Sequence, residues 1–296
     1  MAGNILSRYV WLVDTINRAG RITLSEINQK WQRTDWSEGN KLPRRTFHNY
    51  RSKIEELFDI NIECDTFNRY YIETGLDDDL RIWLLNTFTV SNLVHESHSL
   101  KNRILFEEVP SGQQFLSSII EAMRDEVCLD INYHPFWLDE TIQMTDIKPL
   151  CLKIFRQRWY LIGENNTLKQ IRRYALDRIT SLQTTTAKFK MPKTFNPKEH
   201  FENNFGVAVY PDIKPCIVKL KVFGSHRKYL NTLPLHHSQE EIETNENSSI
   251  FLYYIAPTSD FIRELLSFGE DIEVLTPESL REEISQKINK MRNRYK

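Results

Sequence analysis

Arg158-Trp159-Tyr160-Leu161 and, further on, Arg172-Arg173-Tyr174-Ala175-Leu176-Asp177-Arg178-Ile179 decide how this chain reads. Both runs lie where the hydrophobic period turns from helical to extended. Working outward, Cys128–Tyr133, Thr141–Lys148, Leu150–Phe155, Trp159–Glu164, Lys169–Leu176 and Ile179–Thr185 make five or six short strands joined by tight turns. That density predicts a small β-barrel. Alternation puts Trp159 and Leu161 on one face of their strand and Tyr160 on the other, so part of this triplet is core, Leu161 above all.

The charge is distributed in blocks. The chain has 296 residues and a formal net charge of −1. Residues 148–193, however, carry 11 Lys/Arg against 2 Asp/Glu, whereas residues 76–147 carry 4 against 13. A near-neutral total thus hides one basic and one acidic segment, which points to separate modules and an anionic partner, or to the two blocks pairing with each other. The length fits two or three domains. The longest apolar run, Ile250–Ala256, is far short of the roughly 20 residues of a membrane span, and no secretory leader is evident, so a cytoplasmic protein is expected. Cys64, Cys128, Cys151 and Cys216 are scattered and read as reduced, buried thiols. No glycine-rich phosphate loop and no H-E-x-x-H helix occurs, and neither a cofactor nor a metal is expected.

Residues 1–75 read as a winged helix-turn-helix. Ile5, Leu6, Tyr9, Val10, Val13 and Ile16 recur at helical spacing, with Gly20 as a stop. Thr23-Leu24-Ser25-Glu26 has the form of a capping box opening a second helix through Leu24, Ile27 and Trp31. A third helix begins near Pro43, with Phe47, Tyr50, Ile54, Leu57 and Phe58 as its apolar stripe. Its other face shows Arg44, Arg45, Thr46, His48, Asn49, Arg51 and Lys53, and no acidic residue falls between Lys41 and Lys53. Strands at 61–64 and 69–72 around Asp65-Thr66-Phe67-Asn68 make a hairpin, with Arg69 at its tip to meet a phosphate or the minor groove. A recognition helix needs an apolar docking face and donors at its N-terminal end; Arg forks onto guanine and Asn pairs with adenine. The Arg, His and Tyr of a tyrosine recombinase also occur in Arg44–Arg51, but Tyr50 belongs to the buried stripe.

Residues 76–125 read as an acidic helical connector, capped by Asp77-Asp78-Asp79 and including Gln113–Arg124; His95 and His98 read as surface residues rather than metal ligands. The barrel is assigned to 126–192 and a linker to 193–212. In 213–296, strands at 215–223, 240–244, 249–256 and 272–275 alternate with helices at 225–233 and 261–268. The order β-α-β-β-α-β predicts a ferredoxin-like module, closed by a helix whose stripe is Leu280, Ile284, Ile288 and Met291, either core packing or a dimer seam. The fold class is therefore α+β.

Tyr133, Pro149-Leu150, the Trp159-Tyr160-Leu161 triplet and the R-x-[FY]-x-L-D-R-I segment Arg172–Ile179 resemble the WYL domain family. Phe268-Gly269, Val274-Leu275-Thr276-Pro277 and Leu280-Arg281 are similar to the C-terminal extension of that family, WCX. The resemblance implies a winged-helix head, an Sm/SH3-like barrel and a ferredoxin-like WCX module. It also implies a transcription regulator that binds double-stranded operator DNA as a homodimer and senses an anionic effector, a nucleotide or single-stranded nucleic acid. One departure is Ala175, where many members carry Arg. Tyr133, His134, Arg156, Arg158, Trp159, Tyr160, Arg172, Arg173 and Arg178 are the expected effector residues. Arginines supply forked donors for phosphates, and the rings of Trp159, Tyr160, Tyr133 and Tyr174 offer stacking surfaces worth about 1–3 kcal/mol per base. No catalysis is expected. The alternatives are a nucleic-acid-processing enzyme, which needs clustered carboxylates where the basic segment holds only Glu164 and Asp177, and an accessory protein without an effector.

Overall fold

The computed structural model describes residues 2–73, 112–165 and 169–296. The chain forms two compact units, 1–107 and 108–296. Most of the acidic connector, with Asp77-Asp78-Asp79, His95 and His98, lies outside the described residues.

In the first unit the helices are α1 (Ala2–Ala19), α2 (Leu24–Trp31) and α3 (Arg44–Phe58). A minimal strand β1 (Ile22–Thr23) joins β2 (Ile62–Cys64) and β3 (Arg69–Ile72) in an antiparallel sheet ordered β1-β3-β2. The capping box forms as the sequence predicts: Thr23 Oγ1 accepts from the Glu26 amide, and the Glu26 carboxylate accepts from the Thr23 amide at 2.8 Å. Gly20 ends α1 in the left-handed conformation. The core is Leu12, Val13, Ile16, Ile27, Phe47, Ile54, Ile60 and Ile62, tightened by edge-to-face pairs such as Phe47–Tyr70 at 4.7 Å. Asn28 ties the turn between helices, its Oδ1 accepting from the Leu42 amide at 2.6 Å. Leu57, expected in the buried stripe of α3, is exposed, while its neighbour Phe58 packs against the core. Cys64, expected buried, is exposed on the wing; Cys128 and Cys151 are buried.

The second unit opens with α4 (Leu116–Arg124), which the sequence reads as the end of the connector. Ile119 and Ala122 of α4 are fully buried in the barrel core with Leu129, Ile131, Ile147, Leu161 and Leu176. The strands are β4 (Val127–Tyr133), β5 (Ile142–Phe155), β6 (Arg158–Asn165), β7 (Gln170–Ala175) and β8 (Ile179–Lys188), in the order β7-β6-β5-β4-β8. The two expected strands on either side of Pro149 are one long strand. Pro149 donates no ladder bond, and a register shift between Pro149 and Cys151 absorbs it, which is how proline survives inside a sheet.

After α5 (Pro197–Phe201) come β9 (Cys216–Phe223), α6 (His226–Thr232), β10 (Glu240–Thr244), β11 (Ser248–Ile255), α7 (Ser259–Ser267), β12 (Ile272–Thr276) and α8 (Glu278–Arg294). The sheet order β10-β11-β9-β12, fully antiparallel, is the ferredoxin-like arrangement. Val218, Leu220, Phe251, Tyr253 and Phe261 fill the layer between sheet and helices. Of the stripe on α8, Leu280 is buried while Ile288 and Met291 stand about half exposed.

Candidate nucleic-acid surface and anion site

The third helix keeps Phe47, Tyr50 and Ile54 buried, so the residues between them must face outward. Arg44, Arg45, Asn49 and Lys53 are exposed; Thr46, His48 and Arg51 are half-buried. Pro43 caps the N-terminus with no side-chain hydrogen bond, leaving the first-turn amides and positive helix end beside Arg44 and Arg45. Two of the cations are engaged within the unit: Arg51 lies 3.6 Å from Glu63, and Lys53 pairs with Glu56 at 2.5 Å.

Arg69 is not loose at the wing tip. Asp65 binds it at 2.9 Å, binds Arg21 at the same distance, and accepts from the amides of Phe67 and Arg69. Burial pushes the Asp65 carboxyl up, but these donors outweigh it and hold it at about 2. The Arg69 guanidinium also stacks over Phe67, whose ring is exposed.

The nine residues expected to hold the effector do not form one surface. Tyr133 is core: it is 5% exposed, meets Tyr174 edge-to-face, and its hydroxyl accepts from the Ala175 amide. Tyr174 is equally buried, which pushes its hydroxyl up to about 12, so neither ring offers a stacking face. Both rings sit in the barrel core, where apolar ring area stabilises most when packed. Trp159 packs half-buried against the same core as Leu161, and Tyr160 faces the opposite way, as alternation requires. Arg172 and Arg173 are adjacent on β7 and take opposite faces: Arg172 bonds to Gln170, and Arg173 donates to the Tyr210 hydroxyl at 3.0 Å. Arg178 stacks 3.6 Å above the exposed Phe136 ring, and the His134 amide donates to its carbonyl. Asp177 steadies Arg158, at 3.6 Å, rather than Arg178.

Arg156, Arg158 and Tyr160 do converge. Arg156 and Gln157 both adopt positive φ, 48° and 62°, forming the tight turn between β5 and β6 and projecting Arg156 at the hairpin tip. Together with Phe155, Val207, Asp260 and Arg263 they line a cleft of about 240 Å³ between barrel and C-terminal module. Phe155 continues away from the cleft into an aromatic chain that reaches the C-terminal core, Phe155–Phe205 at 5.5 Å and Phe205–Phe261 at 6.1 Å. Asp260 pins the linker, its Oδ2 accepting from the amides of Val207 at 3.0 Å and Ala208 at 2.9 Å. Beside the cleft Lys153, cross-strand from Tyr160, lies 3.6 Å above the Phe201 ring, and burial brings its ammonium down to about 8.

Sequence reasoning missed Asp260, Arg263 and Glu264. They sit on α7, about a hundred positions from the triplet, and no local pattern marks them as its neighbours. Phe136 lies in the connection between β4 and β5, and its cation partner, Arg178, meets it only in three dimensions.

The first unit has the winged helix-turn-helix topology, and the second joins a five-stranded barrel to a ferredoxin-like module. Residues 114–184 match the WYL domain and residues 214–292 the WCX domain, and the chain belongs to the WYL domain-containing proteins. No curated protein matches it. Among solved structures it is similar to the proteasome accessory factor B/C (PafBC) of Arthrobacter aurescens, at 17% identity over 94% of this chain and 46% of that one, TM-score 0.32. It is also similar to a CRISPR Cas-related protein, at 12% identity over 86% and 74% of the two chains, TM-score 0.40. The chain thus spans less than half the length of the first. Among the described residues no helix is long and apolar enough to cross a membrane.

Proposed function

We propose that this protein is a transcription regulator that binds operator DNA through its winged helix and responds to an anionic effector, a nucleotide or single-stranded nucleic acid, at its WYL barrel. It acts as a cytoplasmic homodimer and performs no catalysis. The observation that carries the reading is the exposed N-terminal half of α3, where Arg44, Arg45 and Asn49 stand clear of the core on a helix whose other face buries Phe47, Tyr50 and Ile54. Such a helix enters the major groove with its first turns at the bases, while the wing, carrying Arg69, meets the backbone. The cationic barrel supports the second half of the reading, since a ligand shifts a two-state equilibrium only by binding one state better. Selection of bound genomic fragments at physiological salt tests it. A sequence-specific, inverted-repeat site is expected, and Arg44→Ala or Arg45→Ala should weaken operator binding by about 1–3 kcal/mol each. Binding that is uniform across fragments, or unchanged in both variants, refutes it.

A further inference from the structure

We propose that the cleft between the barrel and the WCX module receives a terminal phosphate group, with the Glu264 carboxylate as an internal competitor for Arg156. The proposal rests on the effector reading above and assigns it a place and a switch. Three guanidinium groups from two modules meet here: Arg156 and Arg158 from the barrel hairpin and Arg263 from α7. Forked donors from several directions suit a phosphate monoester, whose oxygens carry close to two charges and take paired N–H bonds. The cleft is smaller than the roughly 300–1,000 Å³ of ordinary ligand cavities, so it fits a phosphate and its attached sugar while the remainder projects outward. Tyr160 and Phe155 supply ring surface beside it.

The carboxylates around the cleft differ in how firmly they are committed. Asp260 is held by two backbone amides as well as by Arg263 at 3.3 Å, so it stays as part of the wall. Asp177, at 3.6 Å from Arg158, makes a long and weak pair. Glu264 pairs with Arg156 across the seam and has no other hydrogen-bond partner for its carboxylate among the described residues. Arg156 itself is more than half exposed. A phosphate that takes Arg156 therefore breaks an ion pair screened by solvent on the Arg156 side, leaves the mostly buried Glu264 carboxylate without its partner, and releases the tie between hairpin and α7. Ligand occupancy and the packing of the WCX module against the barrel are coupled through this exchange.

Titration calorimetry on the full chain tests this with four probes: adenosine 5′-monophosphate, adenosine, and one single-stranded oligonucleotide with and without a 5′-phosphate. At least one phosphorylated probe should bind about tenfold or more tightly than its dephosphorylated counterpart, as loss of charge-assisted hydrogen bonds requires. Preference for the mononucleotide identifies a free nucleotide as the source, and preference for the oligonucleotide identifies a strand end. Arg263→Ala should lose about tenfold in affinity, with Arg263→Lys recovering part of it. Glu264→Gln should gain affinity by about threefold to tenfold, because the competitor is neutralised at nearly constant shape; a merely structural Glu264 would give no gain. Equal affinity with and without the phosphate, or a Glu264→Gln variant that binds no better, overturns the proposal. If phosphate-dependent binding disappears in Arg172→Ala and Arg178→Ala but survives Arg156→Ala and Arg263→Ala, the cleft assignment falls and the effector reading stands. If no probe binds and none alters operator affinity, both fall.

Discussion

Replacing Gly206 by alanine should loosen the seam between barrel and WCX module far more than the same change at Gly269. Both glycines have positive φ, +79° and +61°, so each alanine carries a left-handed backbone penalty of about 1–2 kcal/mol. At Gly269 nothing lies within 4 Å of the added Cβ. At Gly206 it would stand 2.7 Å from Asp260 Oδ2, 2.9 Å from Asp260 Cβ and 3.0 Å from Phe155 Cζ. The Asp260 carboxylate must then shift, and it is the acceptor for the Val207 and Ala208 amides. Hydrogen bonds to a charged group contribute about 1.5–3 kcal/mol each, so weakening the pair on top of the backbone penalty gives a local loss of about 3–5 kcal/mol. Hydrogen exchange followed by mass spectrometry reads this directly. Peptides covering 205–210 should exchange about a hundredfold to a few thousandfold faster in Gly206→Ala, since about 1.4 kcal/mol is tenfold. Gly269→Ala should leave those peptides unchanged. Equal effects of the two substitutions on the 205–210 peptides would refute the reasoning, because only the close approach to Asp260 separates them.

The wing should be pH-sensitive. The folded value of Asp65, about 2, lies below its ordinary 3.8, so the stabilisation it provides is complete above about pH 4 and fades as pH falls toward 2. The amide resonances of Phe67 and Arg69, which donate to Asp65, should shift over that window, and Asp65→Asn should abolish the titration; its persistence would assign the effect elsewhere. Tyr174→Phe should raise the melting temperature or leave it unchanged, with up to about 1 kcal/mol gained, because the Tyr174 hydroxyl is buried without a hydrogen-bond partner among the described residues. A clear loss of stability would show that the hydroxyl has an acceptor or a bound water.

The elements were legible wherever local chemistry sets them. The Thr23–Glu26 capping box, the Pro43 start of α3, the Asp65–Asn68 hairpin turn and the β-α-β-β-α-β order all depend on residues close in sequence, and they form as the spacing predicts. Pro149 misled because proline marks a break only when a bulge does not absorb it. The placement of α4 was equally hidden: its apolar side fits a connector as well as a barrel plug until Ile119 and Ala122 are seen inside the core.

What the sequence by itself determined is which segments are helix, strand and turn, which helix carries cations without acids, and that basic and aromatic residues concentrate in one barrel. Those follow from periods of 2 and 3.6 residues and from backbone preferences, which act over a few positions. The tertiary structure alone decided which of the arginines share a surface. Strand alternation sends Arg172 and Arg173 apart, core packing takes Tyr133 and Tyr174 out of reach, and the linker pinned by Asp260 brings Arg263 and Glu264 against Arg156. A site made by two modules depends on the path of the chain between them, and no local period encodes that path.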